Sequence, residues 1–325
     1  MPALRALLPI VAILILALGG AGAAADLKVV ASIKPIHSLV AGVMEGVGTP
    51  TLLIEGAASP HSYTLRPSDA RALARADVVF WIGEGLETLL GKPLTALARD
   101  ALVVELADSP GLTLLAPRAG GAWAGHDEPG AAYSAEVGYE GGPDDGDDHG
   151  RAGYDGHLWL DPENAERLVA RMAEALSSRD PAHAAAYRRN AEALAARLDA
   201  LDAELTATLA PVKDVPYLVF HDAYQYFESR YGLAAVGSVT VAPDRAPGAR
   251  RLTEIRARIV EAGVRCVFRE PQFRPAAVET AVEGTPARVG EVDDLGATLA
   301  AGPELYFRLM RSLAGAMRDC LGTSG

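Results

Sequence analysis

The chain has 325 residues, and its 42 Asp and Glu outnumber its 30 Lys and Arg, which gives a formal net charge of −12 at pH 7. This acidic balance disfavours a nucleic-acid partner, because phosphate binding needs a basic face. Half of the residues are hydrophobic, so we expect an ordinary globular protein whose length divides into two domains, each with its own core.

The first 25 residues have the layout of a secretory signal peptide. Arg5 precedes an uncharged apolar run over 6–18, and small residues follow up to Ala25. The alternative is a retained membrane anchor, which needs about 18 or more consecutive apolar residues, and this run is shorter. We therefore predict export to the periplasm with cleavage near Ala25, and no cysteine stands at that junction to receive a lipid.

From residue 27 onward, short β-branched runs alternate with helical patterns. The predicted strands of the first half are 27–31, 51–54, 78–82 and 102–105. A helix begins near Ser68, with Pro67 before it as a start signal. This alternation predicts a parallel sheet with helices on both faces, and it places His61 in the loop that follows the second strand.

The alternation of strand and helix patterns stops over about 118–156, where Gly, Asp, Glu and Pro predominate. The segment contains an acidic cluster over 144–148 and two histidines, His126 and His149. It cannot bury enough apolar surface to order itself, so we predict a flexible acidic insert in the first lobe, which spans 26–179. A secondary metal site on the two histidines is the alternative to a solvated loop.

Order returns at His157, and the pair Asp161-Pro162 starts an amphipathic helix that runs to about residue 178. A second helix begins at Asp180-Pro181, an N-cap followed by proline at the first helical position. Its apolar residues form one stripe: Tyr187, Leu194, Leu198, Leu201, Leu205 and Leu209. We predict an uninterrupted linking helix over 180–210, long enough to span two domains.

The alternation resumes over 211–325 and predicts a second lobe of the same α/β architecture. Its predicted strands are 217–221, 234–240, 265–270 and 288–293, and its last helix is 303–321. The two cysteines of the chain, Cys266 and Cys320, both lie here. In an oxidising compartment, two cysteines with no others in the chain predict a disulfide. The alternative is two buried free thiols.

Four candidate metal ligands fall where the fold can bring them together. Ligands of open α/β sheets bind beyond the carboxyl ends of the strands. His221 and Asp293 end two strands of the second lobe, and His61 and His157 lie at the matching face of the first. Spacing alone does not prove a site, because no pair shows the interval of a zinc finger or a His-Glu-x-x-His helix. A lone histidine is more often a helix cap or a surface residue.

Several segments, in order along 27–321, make the chain resemble the zinc-uptake solute-binding proteins of ABC transporters, within the cluster A-I metal-binding proteins. They are ASIKPIHSL (31–39), ASPHSYTLRPSD (58–69), HLWLDPEN (157–164), FHDAY (220–224), REPQF (269–273) and DLG (294–296). The resemblance implies two α/β lobes joined by one long helix, with the metal between them. It also implies that His61, His157 and His221 are the three histidine ligands.

The resemblance leaves the fourth ligand open. Asp293 falls where manganese-binding relatives place a carboxylate, so either Asp293 or water completes the site. Those relatives carry a carboxylate at the position of His221, and three imidazoles favour zinc, whereas manganese prefers more oxygen ligands. We interpret His37 as a structural residue and His183 as solvent-exposed.

The function that the resemblance implies is capture of one Zn(II) ion and its delivery to the membrane permease of a zinc ABC transporter. We expect a monomer that performs no catalysis. The competing classes are a zinc hydrolase, for which no motif supplies a general base, and an adhesin or metal sensor. Because imidazole must be neutral to ligate, we expect zinc affinity to weaken below about pH 6.5.

Overall fold

The computed structural model describes residues 27–118, 121–123, 153–240, 243 and 247–322. The predicted signal peptide, 1–25, and both histidines of the insert, His126 and His149, lie outside the described residues, so their predictions stand untested. Within the described part of the chain, no helix combines the length and the apolar character that crossing a bilayer requires.

The first lobe is built on a parallel sheet of four strands in the order β2-β1-β3-β4. The strands are β1 (Val29–Ala31), β2 (Thr51–Leu52), β3 (Val78–Trp81) and β4 (Leu102–Glu105). The helices are α1 (Lys34–Val43), α2 (Pro67–Leu73), α3 (Gly91–Leu97) and α4 (Pro162–Arg179). Both central strands, β1 and β3, are buried along their whole length. This burial explains why their sequences are continuous apolar runs.

The second lobe repeats this topology with a parallel sheet in the order β6-β5-β7-β8. The strands are β5 (Tyr217–Val219), β6 (Ala235–Ser238), β7 (Cys266–Arg269) and β8 (Arg288–Glu291). Besides α5, described below, the helices are α6 (Gln225–Tyr231), α7 (Ala249–Glu261), α8 (Ala276–Val282) and α9 (Leu305–Leu321). The predicted fold class of two similar α/β lobes is confirmed.

All eight predicted strands are present, but several end earlier than predicted. The strand predicted over 51–54 ends at Leu52, and the one predicted over 288–293 ends at Glu291. The residues beyond these ends stay buried in the following loops, as Ile54 and Val292 do. A buried loop has the same apolar composition as a strand, so the sequence could not locate the point at which each strand leaves its sheet.

The linking helix α5 (Ala184–Leu209) has 26 residues and is about 39 Å long at 1.5 Å per residue. It starts later than predicted, because Pro181–His183 form a 3₁₀ turn. Asp180 does not cap a backbone N–H there. Its carboxylate instead accepts hydrogen bonds from His183 Nδ1 (2.7 Å) and from the Tyr187 hydroxyl (2.8 Å).

The two lobes share one hydrophobic core along α5. Every residue of the predicted stripe is buried: Tyr187, Leu194, Leu198, Leu201, Leu205 and Leu209. Both α1 of the first lobe and α9 of the second pack on this helix, and one buried cluster holds Val40, Leu198 and Met310 together. The expectation that each lobe has its own core was therefore wrong. A smaller cluster around Ile255 and Val267 belongs to the second lobe alone.

Polar contacts also cross between the lobes beside this core. The Lys34 ammonium donates to three carbonyl oxygens of the loop 296–299, at 3.0, 2.8 and 3.0 Å. The indole N–H of Trp159 donates to the carbonyl oxygen of Asp294 at 2.9 Å. Because each buried donor would lose its acceptors if the lobes separated, these bonds oppose hinge opening.

A disulfide joins Cys266 on β7 to Cys320 on α9, as predicted. It fastens the last helix to the sheet of the second lobe across a sequence separation of 54 residues. Cys266 is completely buried, whereas Cys320 is partly buried.

We expect the Cys266→Ala/Cys320→Ala double variant to lose about 4 kcal/mol of unfolding free energy at most, because the bridge restricts the unfolded chain. Equilibrium urea unfolding, followed by circular dichroism, measures the loss. Wild-type protein reduced and unfolded in dithiothreitol is the control, because it keeps both sulfur atoms and lacks only the bond. Equal stability of oxidised and reduced protein would contradict this stabilising role.

Candidate metal centre

Three histidines reach one point from three separate segments. His61 lies in the loop between β2 and α2, and His157 immediately precedes the 3₁₀ turn Leu158–Leu160. His221 stands two residues beyond the end of β5. The first lobe thus supplies two imidazoles and the second lobe supplies one, at the carboxyl edges of both sheets, where α/β proteins bind their ligands.

The three imidazoles form the one group of potential metal ligands found among the described residues. One ligand atom of each lies within 4.8 Å of the other two, and the ring centroids are 5.2, 5.4 and 5.7 Å apart. The Nε2 atoms of all three are buried and lack a hydrogen-bond partner. Because an unpaired buried nitrogen is costly, three of them at one point fit a shared cation.

The spacing of these atoms suits zinc after a small adjustment. Around a tetrahedral zinc with Zn–N bonds of about 2.0–2.1 Å, the ligand nitrogens stand about 3.3 Å apart. The separations of up to 4.8 Å in the group therefore need modest turns of the rings.

Two buried carboxylates orient two of the imidazoles. His157 Nδ1 donates to Asp155 at 2.7 Å, and His221 Nδ1 donates to Glu270 at 2.6 Å. A carboxylate can only accept, so each contact holds the proton on Nδ1 and leaves the Nε2 lone pair for a metal. Asp155 also accepts from the backbone N–H of His157 at 3.0 Å, which fixes the start of the turn that carries this ligand.

The pKa values of two of the histidines move in opposite directions. Burial lowers the pKa of His61 well below its usual value of 6.5, and repulsion from His157 and His221 lowers it further. Burial also acts to lower the pKa of His221, but attraction to Glu270 and the hydrogen bond with it raise this pKa to about 9. In the metal-free protein His61 is therefore neutral at pH 7, while His221 retains a proton that a metal must displace.

A small cavity adjoins the histidines, with a volume of about 10 Å³ and a lining that includes His61, His221, Phe273 and Asp294. This is the room that about one water or one ion needs. Asp294 is buried and accepts from the Gln272 amide at 2.9 Å. Burial and repulsion from Glu270 raise its pKa to about 6.

Asp293 lies near this cavity but outside the group of three histidines. One of its carboxylate oxygens accepts from the backbone N–H groups of Leu295 (3.1 Å) and Gly296 (2.8 Å) and from Gln272 (3.1 Å). These contacts show Asp293 holding the loop in shape. Coordination of a metal by Asp293 stays a prediction.

The remaining described histidines lie away from the centre. His37 is in α1, with Nε2 3.1 Å from the carbonyl oxygen of Pro50, and His183 is half-exposed beside Asp180. The contacts of Asp155 and Glu270 with the two imidazoles were not predicted from the sequence. Their signals were present, because Glu270 follows directly after β7 at the edge that also carries His221, and Asp155 stands two residues before His157.

Known proteins are similar to this chain in sequence and in fold. A family model described as "Zinc-uptake complex component A periplasmic" matches residues 29–320. The chain is 48% identical over 308 residues to the high-affinity zinc uptake system protein ZnuA of Brucella abortus (strain 2308), which covers 90% of this chain and 91% of that protein. It is 34% identical over 297 residues to the protein of the same name from Yersinia pestis, covering 91% and 92%.

The fold is also found among solved structures. A crystal structure of ZnuA superposes with a TM-score of 0.74 at 22% sequence identity, over 91% of this chain and 100% of that chain. At this level of identity the likeness extends to the fold alone.

We predict that the apparent affinity for Zn(II) falls about tenfold per pH unit from about pH 8.5 to pH 7, because one bound zinc displaces one proton from His221. The raised pKa of His221, about 9, thus extends the pH dependence well above the ordinary histidine range. Competition titrations against a chelator of known proton affinity measure it. An affinity that is flat over this range would contradict the charged state assigned to His221.

Glu270→Gln should weaken Zn(II) binding about 10- to 100-fold at pH 9, because the loss of a carboxylate behind a ligand lowers the basicity of the imidazole. At pH 7 the loss should be smaller, because His221 of the variant lacks the carboxylate that raises its pKa and so holds no proton that competes with zinc. The same titrations measure both values, with the exposed residue Glu304 changed to Gln as the control. A larger loss at pH 7 than at pH 9 would contradict this role for Glu270.

Proposed function

The chain belongs to the family of periplasmic zinc-uptake components, and we propose that it captures one Zn(II) ion between its lobes and delivers it to an ABC permease. The zinc is a transported ligand, and no reaction is performed on it. The observation that carries this proposal is the meeting of three buried, unpartnered Nε2 atoms from both lobes.

His61, His157 and His221 are the ligands in this proposal. Three neutral imidazoles suit zinc, whereas manganese takes more oxygen ligands. The proton held by His221 before binding leaves when zinc arrives. The carboxylates of Asp155 and Glu270 then remain as buried negative charges behind the cation, and they offset the cost of burying it.

We assign the fourth position to water and not to Asp293. To ligate through the oxygen that accepts from Leu295, Gly296 and Gln272, Asp293 would have to give up hydrogen bonds that shape its loop. The adjoining cavity of about 10 Å³ has the size that about one water requires. Water in this position also leaves an exchangeable site through which zinc can be handed on.

A zinc hydrolase would use a similar set of ligands, but two features oppose it. The carboxylates of Asp155 and Glu270 are bound to the ligand imidazoles and so are unavailable as general bases. Asp294 borders the cavity, but its carboxylate accepts a hydrogen bond from the Gln272 amide at 2.9 Å. The family is also one of transport components.

The chain is exported, with its leader removed near Ala25, and it works as a monomer in the periplasm. It docks on the membrane permease after it has bound zinc. The lobes stay close to their described arrangement throughout, because they share a core along α5 and the buried contacts of Lys34.

We predict that His221→Ala lowers zinc affinity by at least about 100-fold, because it removes one of three ligands and leaves Glu270 without its partner. His183→Ala is the matched control, since this half-exposed histidine lies away from the centre, and its affinity should equal that of the wild type. Titration of the purified protein with zinc against a chelator, with the stoichiometry read directly, gives both values.

The same titration separates the two candidates for the fourth ligand. If water holds that position, Asp293→Asn should cost less than about tenfold, and a loss as large as that of His221→Ala would instead make Asp293 a ligand. Wild-type protein that binds no zinc, or His221→Ala protein that binds zinc normally, would contradict the proposed site. Growth in zinc-poor medium that does not depend on the protein would contradict the transport function.

A further inference from the structure

The segment around Leu115 and the segment around Asp155 lie side by side, and we call the two together the neck. The backbone N–H of Asp155 donates to the carbonyl oxygen of Leu115 at 2.8 Å. This backbone hydrogen bond holds the two segments of the neck together, although 40 positions separate Leu115 from Asp155 in the sequence.

The hydroxyl of Tyr226 fastens both sides of this neck to the second lobe. It accepts from the backbone N–H of Leu115 at 3.0 Å and donates to the carbonyl oxygen of Asp155 at 2.8 Å. Tyr226 lies in α6, and its side chain is 1% exposed. The hydroxyl thus uses both its donor and its acceptor capacity on backbone groups of the neck.

The neck leads directly to the metal centre, because Asp155 is the residue that orients His157. Its backbone is held by Tyr226 and Leu115, while its carboxylate receives both the backbone N–H and Nδ1 of His157. Tyr226 itself stands five positions after His221. One hydroxyl thus connects the segment that carries a ligand of the first lobe to the segment that carries the ligand of the second.

We infer that Tyr226 is a positioning residue for zinc binding, and this inference rests on the proposed function. The tyrosine fixes Asp155, and Asp155 in turn fixes the ring of His157 opposite His221. Without the hydroxyl, the N–H of Leu115 and the carbonyl of Asp155 lose a partner, and His157 samples orientations that do not face the ion. The consequence is a faster loss of bound zinc with an unchanged set of ligands.

A purely structural role for Tyr226 predicts a different result. A buried tyrosine that only supports the core would lower the melting temperature when its hydroxyl is removed, and zinc release would follow stability alone. Tyr231 provides the comparison, because it lies on the same helix and its hydroxyl donates to Asp202 at 2.9 Å. Removing the Tyr231 hydroxyl also deletes a tyrosine hydrogen bond from α6, but it leaves the contacts of the neck unchanged.

The test measures zinc dissociation into excess chelator by stopped flow for the wild type, Tyr226→Phe and Tyr231→Phe, together with their melting temperatures. Tyr226→Phe should release zinc about three- to tenfold faster, at the low end of what the loss of an outer partner costs. Tyr231→Phe should release zinc at the wild-type rate, even where its melting temperature falls as far. Equal release rates for the two variants would overturn the inference.

A double-mutant cycle then shows whether Tyr226 acts through Asp155. In the Asp155→Ala background, the Tyr226→Phe change should add less than about twofold to the release rate, because the link to His157 is already lost. A full additive effect would overturn the inference. A failure of the proposed function gives a different result, namely wild-type protein that binds no zinc. If the wild type binds zinc normally and Tyr226→Phe releases it at the wild-type rate, only the role of Tyr226 is disproved.

Discussion

The centre of this protein depends on one electrostatic constraint: three imidazole nitrogens are buried side by side, and none has a hydrogen-bond partner of its own. Such an arrangement costs free energy in a low-dielectric interior unless one cation binds all three nitrogens and replaces the proton on His221. The neighbouring carboxylates, Asp155 and Glu270, reduce this cost by holding the outer nitrogens. They also place negative charge around the incoming ion. As a result His221 holds a proton that the ion must displace.

The rest of the fold serves to hold these nitrogens in place. Two sheets of the same topology present their carboxyl edges to each other, so that short loops rather than flexible arms carry the histidines. Two of the three histidines have a carboxylate that holds the ring: Asp155 in the neck for His157, and Glu270 just after β7 for His221. The disulfide between Cys266 and Cys320 holds β7, the strand that precedes Glu270, against α9.

Much of this architecture was predictable from the sequence, because buried parallel strands and amphipathic helices leave strong periodic signals. The strand-end rule placed His221 and Asp293 at the edge of the second sheet, and the family resemblance added His61 and His157. The three histidine rings do lie together, whereas Asp293 is outside their group. The contacts of Asp155 and Glu270 were missed because they depend on side-chain direction, and Glu270 reaches a partner 49 positions away. The shared core was missed for a similar reason: the stripe of α5 shows that the helix is buried but does not show which helices cover it.

That shared core has a consequence for how the protein comes apart. Because the side chains of α5 are covered by helices of both lobes, neither lobe can melt alone without exposing apolar surface of the other. Heating should therefore disrupt the molecule as a single cooperative unit, and not as two independently melting halves. A calorimetric trace with one peak, whose van't Hoff and calorimetric enthalpies agree, is the thermodynamic signature of such a two-lobed but undivided molecule.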